Sequence, residues 1–520
     1  MIGWIEVQVQ LIFQEAPEMV DRVGTMVAVA VNQMALDWVG NERRITEAVD
    51  AAIATGATLV VFPELAINGM GCEDALWFPQ TRRQAWRILR NVAIRTKKTV
   101  TTVVIGLPVE YDGRLYNAAA VCADGEIRGL VPKLWFRDSP ACYDTRWFTT
   151  VPPDDEAMID GVPFGVERPF VCTCDGQRYP LRILFGDDPQ PVFPEGDTSP
   201  EFFAVPLADG FETGSYQRRA QWLMEMSTAC GGAIFVAANH LGNGSGGVIS
   251  DGGNLIVERG RILAAAERIP YQEWTLTSVT ETGNTTIPAP ADSRTDFTAK
   301  CEEFAQAISL GLWDYLRRSR SKGFVLSLSG GADSAAIACL VEMGLQRAFA
   351  TLGADVFFQR IGITLPMEYR DRSERMVKRL LHTVYQGSEN SSVATHDAAR
   401  RLAEGLGAIF SELRIDEFVR GYRTTVESMI GRELTWETDD LALQNIQARV
   451  RVPAVWMLAN VKNALLLSTG NRSEAAVGYA TMDGDSCGCL APIAGIDKAF
   501  LRKFLNWMRD TGPATWRAVP

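Results

Sequence analysis

Residues 323–344 read GFVLSLSGGADSAAIACLVEMG, a short apolar stretch, a two-glycine turn and a run of small residues. Leu326 and Leu328 alternate with small neighbours as on a buried strand. Ser329-Gly330-Gly331 lets the backbone come close to a ligand, because glycine carries no Cβ. Asp333 and Ser334 open a helix whose free amides favour an anion, and Ala335, Ala336 and Ala338 let that helix lie flat on a sheet. A glycine pair alone fits a plain capped turn. The whole S-G-G-x-D-S string, with a strand before it and a helix after it, points to a phosphate. No Gly-Lys-Ser/Thr follows, so this is not the Walker pattern. A parallel α/β layer is the architecture it requires.

The chain around that loop has 520 residues, too many for one core, which predicts at least two domains. A net charge of −12 argues against a nucleic-acid partner, which wants a basic face, but not against phosphates held by backbone amides. Ten cysteines are too sparse for a disulfide scaffold. Two pairs, Cys172/Cys174 and Cys487/Cys489, are spaced C-x-C without partners at zinc spacing, and reduced, buried thiols are expected. The first 25 residues lack a basic start followed by an apolar stretch, and no apolar run reaches membrane-spanning length, so a cytoplasmic enzyme without a membrane partner is expected.

Strand-like segments alternate with helical ones along both halves, which predicts an α/β class. A leader is expected over 1–24, a first domain over 25–268, a Pro- and Thr-rich linker over 269–297 and a second, doubly wound domain over 298–520. In the second domain the expected strands are 323–328, RIGITLP (360–366) and IFSELRID (409–416), with THDAARRLAEGLG (395–407) as a helix.

The SGGADS loop resembles that of the ATP pyrophosphatases, which cut ATP between its α- and β-phosphates. LQNIQARVR (443–451) and LLLSTGNRSEAAVGYATMDGDSCGCLAPIAGIDK (465–498) resemble the NAD synthetase branch of that group. The resemblance covers nearly all of 298–510. It implies amidation of deamido-NAD through an adenylate, with ATP and Mg²⁺, releasing AMP and pyrophosphate. The chemistry is consistent: a carboxylate becomes an acyl donor only after its oxygen joins a good leaving group. The resemblance places Ser329, Gly330, Gly331, Asp333 and Ser334 around ATP, with Thr469 on phosphate and Leu365 at adenine. It places Asp333 and Glu474 on magnesium, which takes few protein carboxylates, and Lys498 on the phosphate charge. Asn445, Arg449 and Arg451 would meet deamido-NAD, and Asp485 would lie near the nicotinate and the incoming ammonia. Taken singly, Arg449 and Arg451 also fit solvated helix charges, and Glu474 fits an ion pair with Arg472.

FPELAINGMGCEDALW (62–77), LYNAAAV (115–121), VPKLWF (131–136), RWFT (146–149) and DGGNLIV (251–257) resemble the nitrilase-like amidase domain of glutamine-dependent NAD synthetases. That implies an α-β-β-α sandwich with a catalytic glutamate, lysine and cysteine. Glu64 and Lys133 match the first two, as general base and oxyanion support. The cysteine position falls in Phe185-Gly186-Asp187-Asp188, and Gly186 occupies it. Glycine forms no acyl-enzyme. Three readings stand: a natural loss that leaves ammonia as the donor, an engineered substitution, or recruitment of Cys172 or Cys174. The related synthetases also continue past the equivalent of Pro520 into a loop that closes over the substrates. A homodimer or higher oligomer is expected, with VPAVWMLAN (452–460) as either an interface or a core helix. The rival readings are amidation of another nucleotide-linked carboxylate and a non-catalytic dinucleotide-binding or regulatory protein.

Overall fold

The computed structural model describes residues 23–137, 144–166, 170–174, 176–186, 188, 202–244, 246–281, 287, 292–364 and 373–514. Residues 1–22 of the expected leader, the tail 515–520, Asp187 and Leu365 lie outside the described residues.

Two six-stranded sheets face each other in the first half. One runs in the order Trp274–Glu281, Val23–Val31, Ala57–Val61, Thr102–Tyr111, Arg114–Ala123, Glu126–Pro132. The other runs Arg261–Ala265, Leu255–Glu258, Ile234–Ala238, Phe202–Pro206, Gln177–Ile183, Phe170–Cys174. The period of two sorts the residues of Val23–Val31 by face. Met26 and Ala28 join Leu59, Phe170, Phe202 and Val236 between the sheets. Val27, Val29 and Val31 pack outward under the helices Trp38–Ala54 and Pro79–Arg95. Helix Ser215–Ala229 covers the second sheet, completing the α-β-β-α sandwich.

One strand falls inside the stretch expected to be a linker. Trp274–Glu281 pairs antiparallel with Val23–Val31, from Val31↔Trp274 to Val23↔Glu281. Its W-T-L-T-S-V-T alternation is the cause: Trp274 and Leu276 pack on the helix side and Val279 on the facing sheet.

The second half holds a four-stranded parallel sheet in the order Ile409–Arg414, Leu381–Gly387, Phe324–Ser327, Leu465–Leu467. Helices Phe297–Ser319, Ala332–Arg360, Val393–Leu406, Val452–Lys462 and Lys498–Asp510 accompany it. The strand beside the phosphate loop is therefore 381–387, not 360–366. RIGI is a helix stop: Gly362 takes φ 63°, its amide reaches Gln359 O at 3.0 Å, and the Ile363 amide reaches Phe358 O at 2.9 Å. Lys322 Nζ closes the cap on the carbonyls of Ile361 and Gly362, each at 2.7 Å.

Among the described residues, Ala332–Arg360 is long and apolar enough to cross a membrane by length and composition. Gly353 breaks it with φ 73°, and most of its apolar stretch is buried in the protein, as suits a core helix. Helix Phe297–Ser319 seams the two halves. Its buried Asp314 accepts the side-chain amide of Asn32 at 2.9 Å and the backbone amide of Asn243 at 2.7 Å.

Candidate functional site

Glu64 follows strand Ala57–Val61 and Lys133 follows Glu126–Pro132; two strands of the same sheet lie between these, and both loops open at one end of the sandwich. Lys133 Nζ donates to both Glu64 oxygens, at 2.9 and 3.0 Å, and Asn117 Nδ2 donates to Oε2 at 2.7 Å. All three residues are buried. His240 Nε2 lies 2.5 Å from the Glu64 carbonyl, and burial pushes its imidazole down to about 4. Asn117 lies within LYNAAAV and His240 just after strand Ile234–Ala238, but nothing in either stretch points to Glu64, and only folding brings them to it.

Gly186 lies next to this group. A Cβ built on it would come 2.5 Å from Leu207 Cδ2, and the Leu207 carbonyl accepts the Glu64 amide at 3.2 Å. The turn is closed by Asp188, whose carboxylate accepts the Phe185 amide at 2.8 Å. Cys172 and Cys174 are at the other end: their strand pairs Cys174 with Gln177 and Phe170 with Leu181, so Gly186 emerges far from them. Both thiols are buried, and Cys174 together with burial holds the Cys172 thiol well above its usual range. That geometry removes the recruitment reading for this pair. Cys72 is also buried; burial raises its thiol, with Asn68 Nδ2 opposing from 3.3 Å.

The phosphate loop sits at the carboxyl end of Phe324–Ser327, the edge where doubly wound sheets bind ligands. Gly330 takes φ 78°, and a Cβ there would collide with the carbonyl of Thr395, so glycine is required. Ser334 Oγ accepts the Ser329 amide at 3.2 Å, and Ser329 Oγ accepts the Gly331 amide at 3.2 Å, which sets the loop in shape before any ligand arrives. Gly331 caps helix Ala332–Arg360. Thr469 follows Leu465–Leu467, whose Leu467 is in register with Leu326, so it shares the loop's edge.

Three charged residues from three segments meet here. Lys498 Nζ lies 3.1 Å from Asp333 Oδ2 and 3.0 Å from Glu474 Oε1. Asp333, then Glu474, raises the Lys498 pKa above its ordinary value. Asn471 ties the group together, donating to Asp333 Oδ1 at 3.0 Å while capping the helix that carries Glu474. Arg472 pairs instead with Asp497 at 3.1 Å, so the plain Glu474–Arg472 alternative does not form.

The dinucleotide candidates gather around the turn 479–490. Arg449 Nε donates to the Met482 carbonyl at 3.0 Å, and Thr481 donates to Asn445 Oδ1 at 3.1 Å. Burial lowers the Arg451 pKa, with the nearby Asp485 charge opposing. A cavity of about 690 Å³ lies between the two halves, touching Asn68, Arg137 and His240 on one side and Arg472, Asp497 and Phe500 on the other.

A family model described as carbon–nitrogen hydrolase matches residues 27–275, and one described as NAD synthase matches 304–513. The chain is 35% identical to a glutamine-dependent NAD(+) synthetase from Cytophaga hutchinsonii, whose crystal structure superposes with a TM-score of 0.83 over 94% of this chain and 82% of that one. The Homo sapiens glutamine-dependent NAD(+) synthetase is 28% identical over 93% of this chain and 78% of its own length. A further structure, of the Acinetobacter baumannii enzyme in complex with ADP, shares the fold at 21% identity and a TM-score of 0.73.

Proposed function

Because the chain belongs to the glutamine-dependent NAD(+) synthetase family, we propose that it amidates deamido-NAD with ATP and takes ammonia, not glutamine, as its nitrogen donor. Amidation of deamido-NAD is the reaction of that family. The observation that carries the reading is the meeting of Asp333, Glu474 and Lys498 beside a glycine loop that admits no side chain at Gly330.

In this reading the nicotinate carboxylate attacks the α-phosphate, and the bond to the β-phosphate breaks. The loop amides and Lys498 take up the charge that builds on the departing pyrophosphate. Ammonia then attacks the acyl carbon and AMP leaves. Arg451 and Asp485 hold the nicotinate end, while Asn445 and Arg449 brace the turn that presents Asp485. Asp333 and Glu474 fit Mg²⁺, since both carboxylates already converge on one positive group. Bound there, the ion would neutralise phosphate charge. Adenine recognition falls to the end of Leu381–Gly387, the strand beside the loop, where Tyr385 OH meets Thr395 Oγ1 at 3.1 Å.

The ammonia assignment rests on Gly186, which offers no nucleophile beside an otherwise intact Glu64–Lys133 pair. Oligomerisation is part of the same reading. Every residue of helix Asp416–Ile430 is at least partly exposed, and Phe418, Tyr422, Val426, Met429 and Ile430 form an apolar stripe on it. A second copy is the proposed cover, and light scattering that finds only a 57.2 kDa particle at working concentration would remove it.

The deciding experiment supplies deamido-NAD, ATP and Mg²⁺ with either ammonium or glutamine and measures AMP and NAD. NAD is expected with ammonium, and with glutamine the rate should fall by several orders of magnitude, as when an attacking group is lost. No AMP with either source would overturn the synthetase reading. Equal rates would overturn the ammonia assignment.

A further inference from the structure

Seven of the nine described cysteines are buried, and the remaining two stand one residue apart. Cys487 is half-buried and Cys489 exposed, contrary to the expectation of buried thiols for both C-x-C pairs. They lie on the turn that carries Asp485. This turn is laid against the end of Leu465–Leu467: the Cys489 amide donates to Leu466 O at 2.7 Å and the Ser468 amide to Leu490 O at 2.9 Å. Ser468 Oγ donates to the Asp485 carbonyl at 3.2 Å, and the Cys487 amide to Gly484 O at 3.0 Å. Gly488 is turned toward the strand, since a Cβ on it would come 2.6 Å from the Ser468 amide nitrogen. The chain bends at 488–489, with the half-buried Cys487 and the exposed Cys489 on either side of this strand-facing glycine. The two thiols therefore stand together on the outer side of the turn that positions Asp485.

We propose that Cys487 and Cys489 are a modification site, oxidised by a hydroperoxide to an intramolecular disulfide that shuts off the synthetase half. The Cys489 thiolate attacks one peroxide oxygen, the O–O bond breaks, and hydroxide leaves and is protonated to water. The resulting sulfenic acid is attacked by the Cys487 sulfur; the S–O bond breaks and a second water leaves. Two thiols and one hydrogen peroxide give one disulfide and two waters. A disulfide holds its Cα atoms about 4.4–6.8 Å apart. Two residues apart, Cα atoms span at most about 6.8 Å when fully extended, and this segment is bent at 488–489, so the pair falls within that range. Closing the bridge shortens the segment, and Gly488 has the backbone freedom to allow it. The contraction draws the Cys489 amide from Leu466 O and moves Asp485 away from Ser468. Displacement of about 1 Å in a positioning group costs about a hundredfold in rate.

The rate readout rests on the proposed synthetase function; the chemical readout does not. Reduced protein is exposed to hydrogen peroxide, and the peptide containing residues 487–489 is weighed while ammonium-driven NAD formation is followed. The peptide should lose two hydrogens as the rate falls about a hundredfold, and dithiothreitol should restore both. Cys489→Ser should form no bridge and keep its rate under the same dose. Cys487→Ser should stop at a sulfenic acid on Cys489 that a 1,3-diketone traps. Both thiols remaining free to alkylation after peroxide would overturn the proposal, as would a bridge that forms while the rate is unchanged. Reduced protein that makes no NAD would instead sink the synthetase reading, leaving the mass measurement to decide the bridge.

Discussion

Lys133 and Glu64 expose 4% and 3% of their side chains in the first half of the molecule, whereas Lys498 is 37% exposed between Asp333 at 16% and Glu474 at 26%. Both groups are a lysine on carboxylate oxygens at about the same distance, yet their survival means different things. Deleting one partner of a buried pair strands the other charge in a low-dielectric interior, at a cost of about 3–5 kcal/mol. Glu64 and Lys133 are thus kept by folding alone, even beside a nucleophile position that holds Gly186. Open ion pairs stabilise by only about 0–1 kcal/mol, so folding gives little reason to keep the Lys498 cluster. Chemistry does. An intact pair in the amidase shell is weak evidence for amidase activity, and the exposed cluster is the stronger sign of function.

Lys498→Ala tests the open side of that contrast and carries the largest expected effect. Ammonium-driven NAD formation should fall by about 10²–10³, the loss typical of a preorganised charge stabiliser. The unfolding free energy from urea titration should change by no more than about 0.5 kcal/mol, as for a surface substitution. A large stability loss with modest rate change would reverse the assignment of roles.

Lys133→Ala should do the opposite. It should destabilise the fold by about 3–5 kcal/mol while the ammonium-driven rate per folded molecule stays near that of the parent. The double change Glu64→Gln with Lys133→Met removes both charges and should recover most of that loss, because no uncompensated ion remains. If the single variant is as stable as the parent in urea, the pair is not held for structural reasons and the contrast fails.

Acid should act on the buried side through His240. Burial lowers its pKa from 6.5 to about 4, outweighing the hydrogen bond that the ring donates to the Glu64 carbonyl. Between these values the unfolded chain holds more protons than the folded one, so stability falls as pH falls. The contribution is fully present above about pH 6.5 and is lost toward pH 4, at about 1.4 kcal/mol per unit and about 3 kcal/mol in all. Urea midpoints at pH 7 and 4.5 measure it, and His240→Gln should flatten the difference.

The same division governs what could be read from the residues. The phosphate loop is legible because its requirement is local: Gly330 must be glycine to clear Thr395, and the chain signals this within six residues. Lys498, Glu474 and Asp333 are legible only through resemblance, since 165 residues separate the first and last of them in sequence (498 − 333). Asn471, which joins Asp333 to the Glu474 helix, is not legible in the sequence for the same reason. RIGITLP has a strand's apolar content, but Gly362 in the left-handed region makes RIGI a helix cap, and LHTVYQ takes the sheet position instead. Trp274–Glu281 was hidden by the Pro- and Thr-rich residues after it, although its own alternation is a clear edge-strand pattern.

Gly186→Cys should disturb the fold least and says most about the first half. Gly186 is not among the glycines with a left-handed φ, so a side chain meets no backbone penalty there. Among the described residues the one close contact is 2.5 Å to Leu207 Cδ2, the tip of a side chain that can turn aside. A cost of about 1 kcal/mol is expected, at the low end for overpacking. If Glu64 and Lys133 survive only because burial enforces them, they still survive in the geometry a thiol needs, for the Leu207 carbonyl ties the Glu64 backbone to the residue facing Gly186. Glutamate release from glutamine should then appear in the variant and be absent from the parent. Gly186→Cys combined with Glu64→Gln and Lys133→Met, which leaves no uncompensated ion, separates restored catalysis from stray thiol reactivity, since only catalysis needs the pair. A folded Gly186→Cys protein that releases no glutamate would mean that the shell has drifted around its glycine while the ion pair stayed in place, which is what structural retention alone permits.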